Sequence, residues 1–138
     1  MYARKTGIEK GGRSMRENVQ KLEYTPGMFD MFKREKDIYK WKMFPETMWG
    51  LGFEMDCEDS FMKYVEENHK KPQSYMKEEE EKAWRIRVLQ EAPLDIVGNQ
   101  VFSEWRYYTY WAGYIEESDH VFVHEILLVL ERKLMGEM

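Results

Sequence analysis

Residues 105–114 combine aromatic rings with one guanidinium group, which makes this stretch the strongest candidate for a recognition site. It contains Trp, Tyr and Arg, the residue types that dominate protein-binding hot spots. Most of these rings are expected to join the core of so small a domain. One element cannot bury all of its faces, however, so some rings should remain exposed. The predicted partner-binding residues are Trp105, Arg106, Tyr107, Tyr110, Trp111 and Tyr114.

Exposed rings with an interleaved Arg are also suited to stacking on unpaired nucleotide bases, so nucleic-acid binding is the alternative interpretation. Residues 1–24 favour it, because they carry six Lys or Arg against three Glu in a chain whose net charge is −5. A basic arm on an acidic body can bind nucleic acid or fold back on that body. Few large apolar residues and three glycines in the arm are more typical of an irregular, solvated segment.

His120 and His124 are four residues apart, so on a helix they would share a face and could bind a divalent metal. The metalloprotease pattern requires Glu directly after the first His, and this chain has Val121 there. We therefore predict ordinary histidines at the surface or its boundary, and no metal site.

Acidic residues and the single cysteine also have simple structural interpretations. The run Glu78 to Glu81 is typical of a solvated first helical turn, with an acidic docking surface as the alternative. Asp56, Glu58 and Asp59 lack the ligand spacing and the glycine of a calcium loop, so helix capping is expected. Cys57 is expected in the core. With no Gly-rich phosphate loop and no nucleophile elbow, the sequence predicts a non-enzymatic protein without a cofactor.

The elements that carry these residues are expected to be helices. Two series of apolar residues recur at the spacing of one helix face, and a short polar turn separates them. Such a pattern predicts a helical hairpin over residues 101–135 with a buried seam. The first series is Val101, Trp105, Tyr108, Ala112 and Ile115, and the second is Val123, Ile126, Leu127, Leu130 and Leu134.

A sheet in the same region is the main structural alternative. Trp105 to Ile115 is rich in residues that favour strands, and Gly98-Asn99 is an acceptable two-residue hairpin turn. Both sets of alternating side chains are mostly aromatic, so the polar and apolar alternation of a half-buried strand is missing. An α+β domain with its sheet in the C-terminal third is therefore the second choice.

Four further helices are predicted ahead of the hairpin, from caps, prolines and glycines. They cover residues 26–36, a short element from Pro45 to Gly50 or Gly52, residues 57–69 capped by Asp56, and Ser74 to about Glu91. Pro93 should break the last of these, and Gly98 should be a weak point in the segment that follows.

Composition favours a cytoplasmic protein. No uninterrupted apolar run approaches the roughly 20 residues of a membrane span, and no signal segment is apparent at the N-terminus. A single cysteine excludes an intramolecular disulfide, as is usual in a reducing compartment.

The sequence therefore predicts an all-α single compact domain of five or six helices over residues 25–138, with a C-terminal helical hairpin. A flexible basic arm of residues 1–24 is expected to precede it. The predicted function is a non-enzymatic protein-binding module, such as an adaptor, inhibitor or regulatory subunit, that uses an aromatic and Met-rich surface. Its expected partner is another protein or a second copy of itself, and nucleic acid is the alternative.

Overall fold

The structure is a computed structural model that describes residues 22–55 and 59–137. Within these two ranges every regular element is a helix and no strand occurs, which confirms the predicted all-α class. The sheet alternative is therefore wrong for the C-terminal third. The α-helices are α1 (Asp30–Arg34), α2 (Phe44–Gly50), α3 (Ser60–Glu67), α4 (Glu78–Glu91), α5 (Leu94–Arg106) and α6 (Glu117–Leu134), with a 3₁₀ turn at Ile38–Lys40 and a π-helical turn at Tyr107–Trp111.

Most of the predicted basic arm, residues 1–21, lies outside the described residues. Contacts with the body already begin at Leu22, whose backbone N–H donates to the Gly50 carbonyl at 2.8 Å. The ring of Tyr24 stacks on Phe29 with centroids 6.1 Å apart. Leu22 and Tyr24, at the end of the stretch predicted as arm, therefore contact the folded body.

Three of the predicted helix starts are wrong, and each has a local cause. The first is α1, which begins at Asp30 rather than residue 26. Gly27 adopts a φ of +89° that a right-handed helix cannot include. The chain therefore turns at Gly27 before the helix begins.

The other two starts depend on which side chain forms the cap. α3 is capped by Asp59, whose carboxylate accepts from the Met62 N–H at 3.2 Å. The predicted cap Asp56 lies outside the described residues. α4 begins after Lys77 rather than Ser74, since the Glu80 carboxylate accepts from the Lys77 N–H at 2.9 Å in a capping box.

A C-terminal hairpin is present and is formed by α5 and α6, which pack extensively against each other. Its bounds differ from the prediction, because α5 begins at Leu94 rather than Val101 and the connecting turn is 112–116, ahead of Glu117 and Ser118. Val101 and Trp105 of the first series are buried, and so are the first four residues of the second series. Pro93 separates α4 from α5 as predicted, because its ring is compatible only with the start of a helix. Gly98 does not interrupt α5, however: it is buried inside the helix, directly against the Phe53 ring.

The core is one cluster of buried apolar side chains to which all six helices contribute. Aromatic rings form its N-terminal half: Phe32 meets Phe44 edge to face at 5.2 Å, and Phe44 contacts Trp105 at 5.4 Å between centroids. Such ring pairs add about 0.5–1.5 kcal/mol beyond area burial. The segments before α3 are therefore packed directly on the C-terminal end of α5, where the predicted binding residues begin.

No helix within the described ranges combines the length and the apolar character that crossing a bilayer requires.

Candidate functional site

Trp105 is the one predicted binding residue that the structure places in the core, where its side chain is 4% exposed. Its indole N–H donates to the Ile38 carbonyl at 3.3 Å, and its ring packs against Phe44 and Phe102. The ring of Tyr110 stands edge-on against it at 5.5 Å between centroids. Trp105 therefore fixes the end of α5 to the body and supports the exposed residues that follow.

The chain continues from α5 into the π-helical turn Tyr107–Trp111. The Ala112 N–H donates to the Tyr107 carbonyl at 2.8 Å, the i to i+5 bond of a π-turn, and the Thr109 hydroxyl donates to the Trp105 carbonyl at 2.8 Å. From outside the turn, the Tyr39 hydroxyl donates to the Tyr108 carbonyl at 3.0 Å. Single π-turns are rare and frequently occur at functional sites, and here the turn is held by contacts on both sides.

Four of the predicted rings are mainly exposed. The exposed fraction is 54% for Tyr107, 67% for Tyr110, 71% for Trp111 and 65% for Tyr114, and Arg106 is exposed beside them. We call these five residues the aromatic patch. Tyr107, Tyr110 and Trp111 belong to the π-helical turn, and Tyr114 follows it after Gly113. The expectation that most rings of this stretch would be buried is therefore wrong.

A shallow cleft of about 320 Å³ opens within the aromatic patch, between Arg106, Tyr110, Trp111 and Met55. The Arg106 guanidinium lies over the Trp111 ring, 5.9 Å from its centroid. This arrangement is a cation–π contact. Met55 was not predicted as a binding residue. It comes from the segment after α2, and no spacing in the sequence relates that segment to residue 106.

Buried charges link α4 and α6 next to the patch. The Lys82 ammonium pairs with the buried carboxylate of Asp119 and also with Glu78 at 3.3 Å. Burial opposes ionisation of Asp119, but hydrogen bonds from Lys82, the backbone and Tyr108 hold the pKa of that carboxyl below its usual range. Burial, together with the carboxylates of Glu104 and Asp119, raises the pKa of the Tyr108 hydroxyl well above its usual range. Tyr108 therefore stays neutral as a hydrogen-bond donor.

A second polar network joins α4 to α5. Arg85 contacts Glu81 at 3.2 Å and Glu104 at 3.5 Å, and the Gln100 amide donates to Glu104 at 2.7 Å. Burial raises the pKa of Glu104 despite the neighbouring guanidinium. These contacts hold the three long helices in one arrangement, so the patch is carried by a rigid support.

His120 and His124 lie one turn apart on α6, as their spacing predicted. Within the described ranges, His120 Nδ1 and His124 Nε2 are buried and have no hydrogen-bond partner. The His124 ring packs edge-on against Trp41, with ring centroids 5.3 Å apart. Burial, followed by the neighbouring His120, lowers the pKa of His124. No group of three or more potential metal-ligating side chains occurs among residues 22–55 and 59–137. His124 is therefore a packed imidazole whose protonation is disfavoured by its burial.

Three of the four acids in the run Glu78 to Glu81 have local partners. In the first turns of α4, the Glu78 carboxylate pairs with Lys82 and the Glu81 carboxylate pairs with Arg85. The Glu80 carboxylate accepts a hydrogen bond from the Lys77 N–H. The predicted candidates Asp56, Cys57 and Glu58 lie outside the described residues. Helix capping and i, i+4 pairing therefore account for the described acids, as the simpler interpretation of the sequence expected.

Comparison of this chain with known protein families, with curated proteins and with solved structures finds no match.

Proposed function

We propose that this chain is a non-enzymatic protein-binding module of the cytoplasm, such as an adaptor, inhibitor or regulatory subunit, and that the aromatic patch is its binding surface. The observation that carries the proposal is the exposure of four large rings within eight consecutive residues, each more than half exposed. Large apolar rings exposed together in one segment of a folded domain are typical of an interaction site. The single cysteine of the chain supports a reducing compartment.

The composition and the support of the aromatic patch favour a protein partner. Trp, Tyr and Arg give the largest losses when interface residues are truncated to Ala. The rings also lose little conformational entropy on binding, because Trp105 and the hydrogen bond from Tyr39 already hold their backbone. Met55 adds a flexible side chain at the edge of the cleft, which suits a surface that adapts to its partner.

Nucleic acid is the second candidate, because the exposed rings are also suited to base stacking. The charge of the described residues disfavours it. Of the 21 basic residues in the chain, six lie in residues 1–21, so the described ranges hold 15 Lys and Arg against 22 Asp and Glu. Such a net negative body repels phosphates. Nucleic-acid affinity would depend on the basic segment and would fall steeply with salt.

Affinity capture with the full chain tests the proposal. Trp111→Ala and Tyr110→Ala should each lower the yield of a captured protein, because losing a hot-spot ring that contributes ~2 kcal/mol raises the dissociation constant by about 30-fold. Tyr75→Ala is the matched control, because Tyr75 is 92% exposed and lies outside the aromatic patch. Capture that is unchanged by both patch variants would refute the patch as the binding surface.

A further inference from the structure

The solvent-facing side of α6 carries three apolar side chains at intervals of seven residues. Val121 is 50% exposed, Leu128 is 45% exposed and Met135 is 41% exposed. Met135 directly follows the helix, and its N–H still donates to the Glu131 carbonyl at 3.0 Å, so it lies in the last turn. Single exposed apolar residues are common on folded proteins, but these three are aligned along one helix.

Two side chains of opposite charge lie between the apolar ones. Glu125 and Arg132 are both exposed, and neither side chain forms an ion pair or a hydrogen bond with another residue in 22–55 or 59–137. The resulting set advances by steps of four and three, the repeat of a helix that packs along one seam against another helix. We call it the α6 stripe: Val121, Glu125, Leu128, Arg132 and Met135.

We propose that the α6 stripe binds the α6 stripe of a second copy of this chain, with the two helices antiparallel and Leu128 of each copy at the two-fold axis. Homodimers usually have two-fold symmetry, and such an interface must be self-complementary because the same surface is used twice. The α6 stripe shares no residue with the aromatic patch, so this interface is separate from the proposed binding surface.

The positions along the helix axis meet the requirement of self-complementarity. At a rise of 1.5 Å per residue, Val121 and Met135 lie about 10.5 Å on either side of Leu128, so each is level with the other in an antiparallel pair. Glu125 lies about 4.5 Å before Leu128 and Arg132 about 6 Å after it. The Glu125 of one copy is therefore level with the Arg132 of the other to within about 1.5 Å, and two ion pairs flank the axis.

The charges exclude the parallel arrangement and favour a second copy as the partner. A parallel pair would place Glu125 opposite Glu125 and Arg132 opposite Arg132, and like charges in contact are unfavourable. Another protein would need the same alternation of apolar, acidic and basic groups in reverse order. A second copy always supplies it.

The size of the α6 stripe sets the expected strength of the dimer. It is about 21 Å long, and a helix with its side chains is about 10 Å wide, which gives a footprint of roughly 200 Å² on each copy. Standard interfaces bury about 800 Å² on each partner. The dimer should therefore be weak and reversible, with a dissociation constant on the order of 100 µM.

Sedimentation velocity of the full chain, from about 1 µM to about 1 mM, measures the dimer directly. Leu128→Gln should weaken it by about tenfold or more, because both copies lose the apolar contact at the axis. Leu94→Gln is the matched control and should dimerise like the wild type, since Leu94 is 40% exposed but lies on α5. Trp111→Ala should also leave the dimer unchanged.

Charge reversal tests the pairing. Glu125→Arg and Arg132→Glu should each weaken the dimer by about tenfold, because each places like charges level with one another. The double reversal should restore dissociation to within about threefold of the wild type, since the pairs re-form with their signs exchanged. Urea unfolding of each variant checks that it is folded.

Cross-linking tests the antiparallel arrangement in a Cys57→Ser background. Oxidation should link two copies of Leu128→Cys, because residues at a two-fold axis face each other. Val121→Cys should stay unlinked, since its two copies lie about 21 Å apart along the antiparallel pair. Links at both positions would indicate a parallel pair and overturn the arrangement.

Three further results would overturn the proposal. A strict monomer at every concentration would do so and would leave the proposed function intact, because the two surfaces share no residue. A dimer weakened by Trp111→Ala but not by Leu128→Gln would place the interface at the aromatic patch. A double reversal no tighter than the single ones would exclude the Glu125–Arg132 pairing.

Discussion

Gly98 gives the sharpest test of how the segment after α2 is packed on α5. It lies in the interior of α5, where Ala is ordinarily preferred over Gly by about 1 kcal/mol. A Cβ at this position would lie 2.1 Å from Cε1, 2.2 Å from Cδ1 and 2.6 Å from Cζ of the Phe53 ring. Carbon atoms pack at about 3.5–4.0 Å, so the ring would have to move by roughly 1 Å or more. The only free energy gained by the substitution is local helix propensity.

The destabilisation caused by Gly98→Ala depends on whether the Phe53 ring can move without leaving the core. Its ring is buried, and expelling a buried Phe side chain forfeits up to about 3 kcal/mol of burial free energy. Subtracting the propensity gain of about 1 kcal/mol leaves a net destabilisation of about 2 kcal/mol for Gly98→Ala. In a domain of this size that corresponds to a decrease in Tm of roughly 8 °C.

Urea unfolding followed by far-UV circular dichroism, in a double-mutant cycle, separates the two effects. In a Phe53→Ala background the clash is gone, so the same Gly98→Ala change should stabilise the protein by up to about 1 kcal/mol. The sign of the effect should therefore reverse between the two backgrounds. If Gly98→Ala stabilises the wild type, or costs the same in both backgrounds, the close approach of Phe53 does not govern this site.

Two further predictions concern buried ionisable groups, and urea unfolding measures both. Lys82→Met should destabilise the protein by about 3 kcal/mol at neutral pH, because Asp119 stays buried without its cation; adding Asp119→Asn should recover most of the loss, and no recovery would contradict the pairing. Burial, and then His120, depress the pKa of His124, so the folded state binds its proton less readily than the unfolded state. Stability should therefore be unaffected by His124 above about pH 6.5 and should fall as pH decreases below that value. His124→Phe should reduce this slope while keeping the Trp41 contact, and an unchanged slope would place the titration elsewhere.

The helical pairing of the C-terminal third was predictable because two apolar series share the period of a helix. Val123, Ile126, Leu127 and Leu130 are all buried, as the series requires. Residues 105–115 favour strands by type, but they form no strand. Packing along the seam between two helices outweighs single-residue preferences. A long amphipathic period is thus the most reliable signal in this chain.

Helix starts were less predictable because several residues competed for each cap. Asp59 rather than Asp56 caps α3, and both are good capping residues by type. Lys77 is the N-cap of α4 because Glu80 reaches back to its N–H, a contact that depends on local geometry more than on residue type. Boundaries of this kind differ by small free energies, so the sequence alone does not rank them.

Burial of the aromatic residues was the least predictable property. The first predicted apolar series includes Trp105, Tyr108, Ala112 and Ile115. In the sequence, a second set with similar spacing is offset from it by one or two residues: Tyr107, Tyr110, Trp111 and Tyr114. Both faces are aromatic, so hydrophobicity alone does not distinguish the buried face from the exposed one. Only the positions of α6 and of the Ile38 segment, which cover the first face, decide it.

The exposed rings have no route into the core of the same molecule. Trp105 holds the end of α5 to the body, and Tyr39 holds the π-turn through the Tyr108 carbonyl. Gly113, with a φ of +80°, then redirects the chain into α6, whose own apolar face is already filled by the core. Because the fold fixes these rings outward, only another molecule can remove them from water.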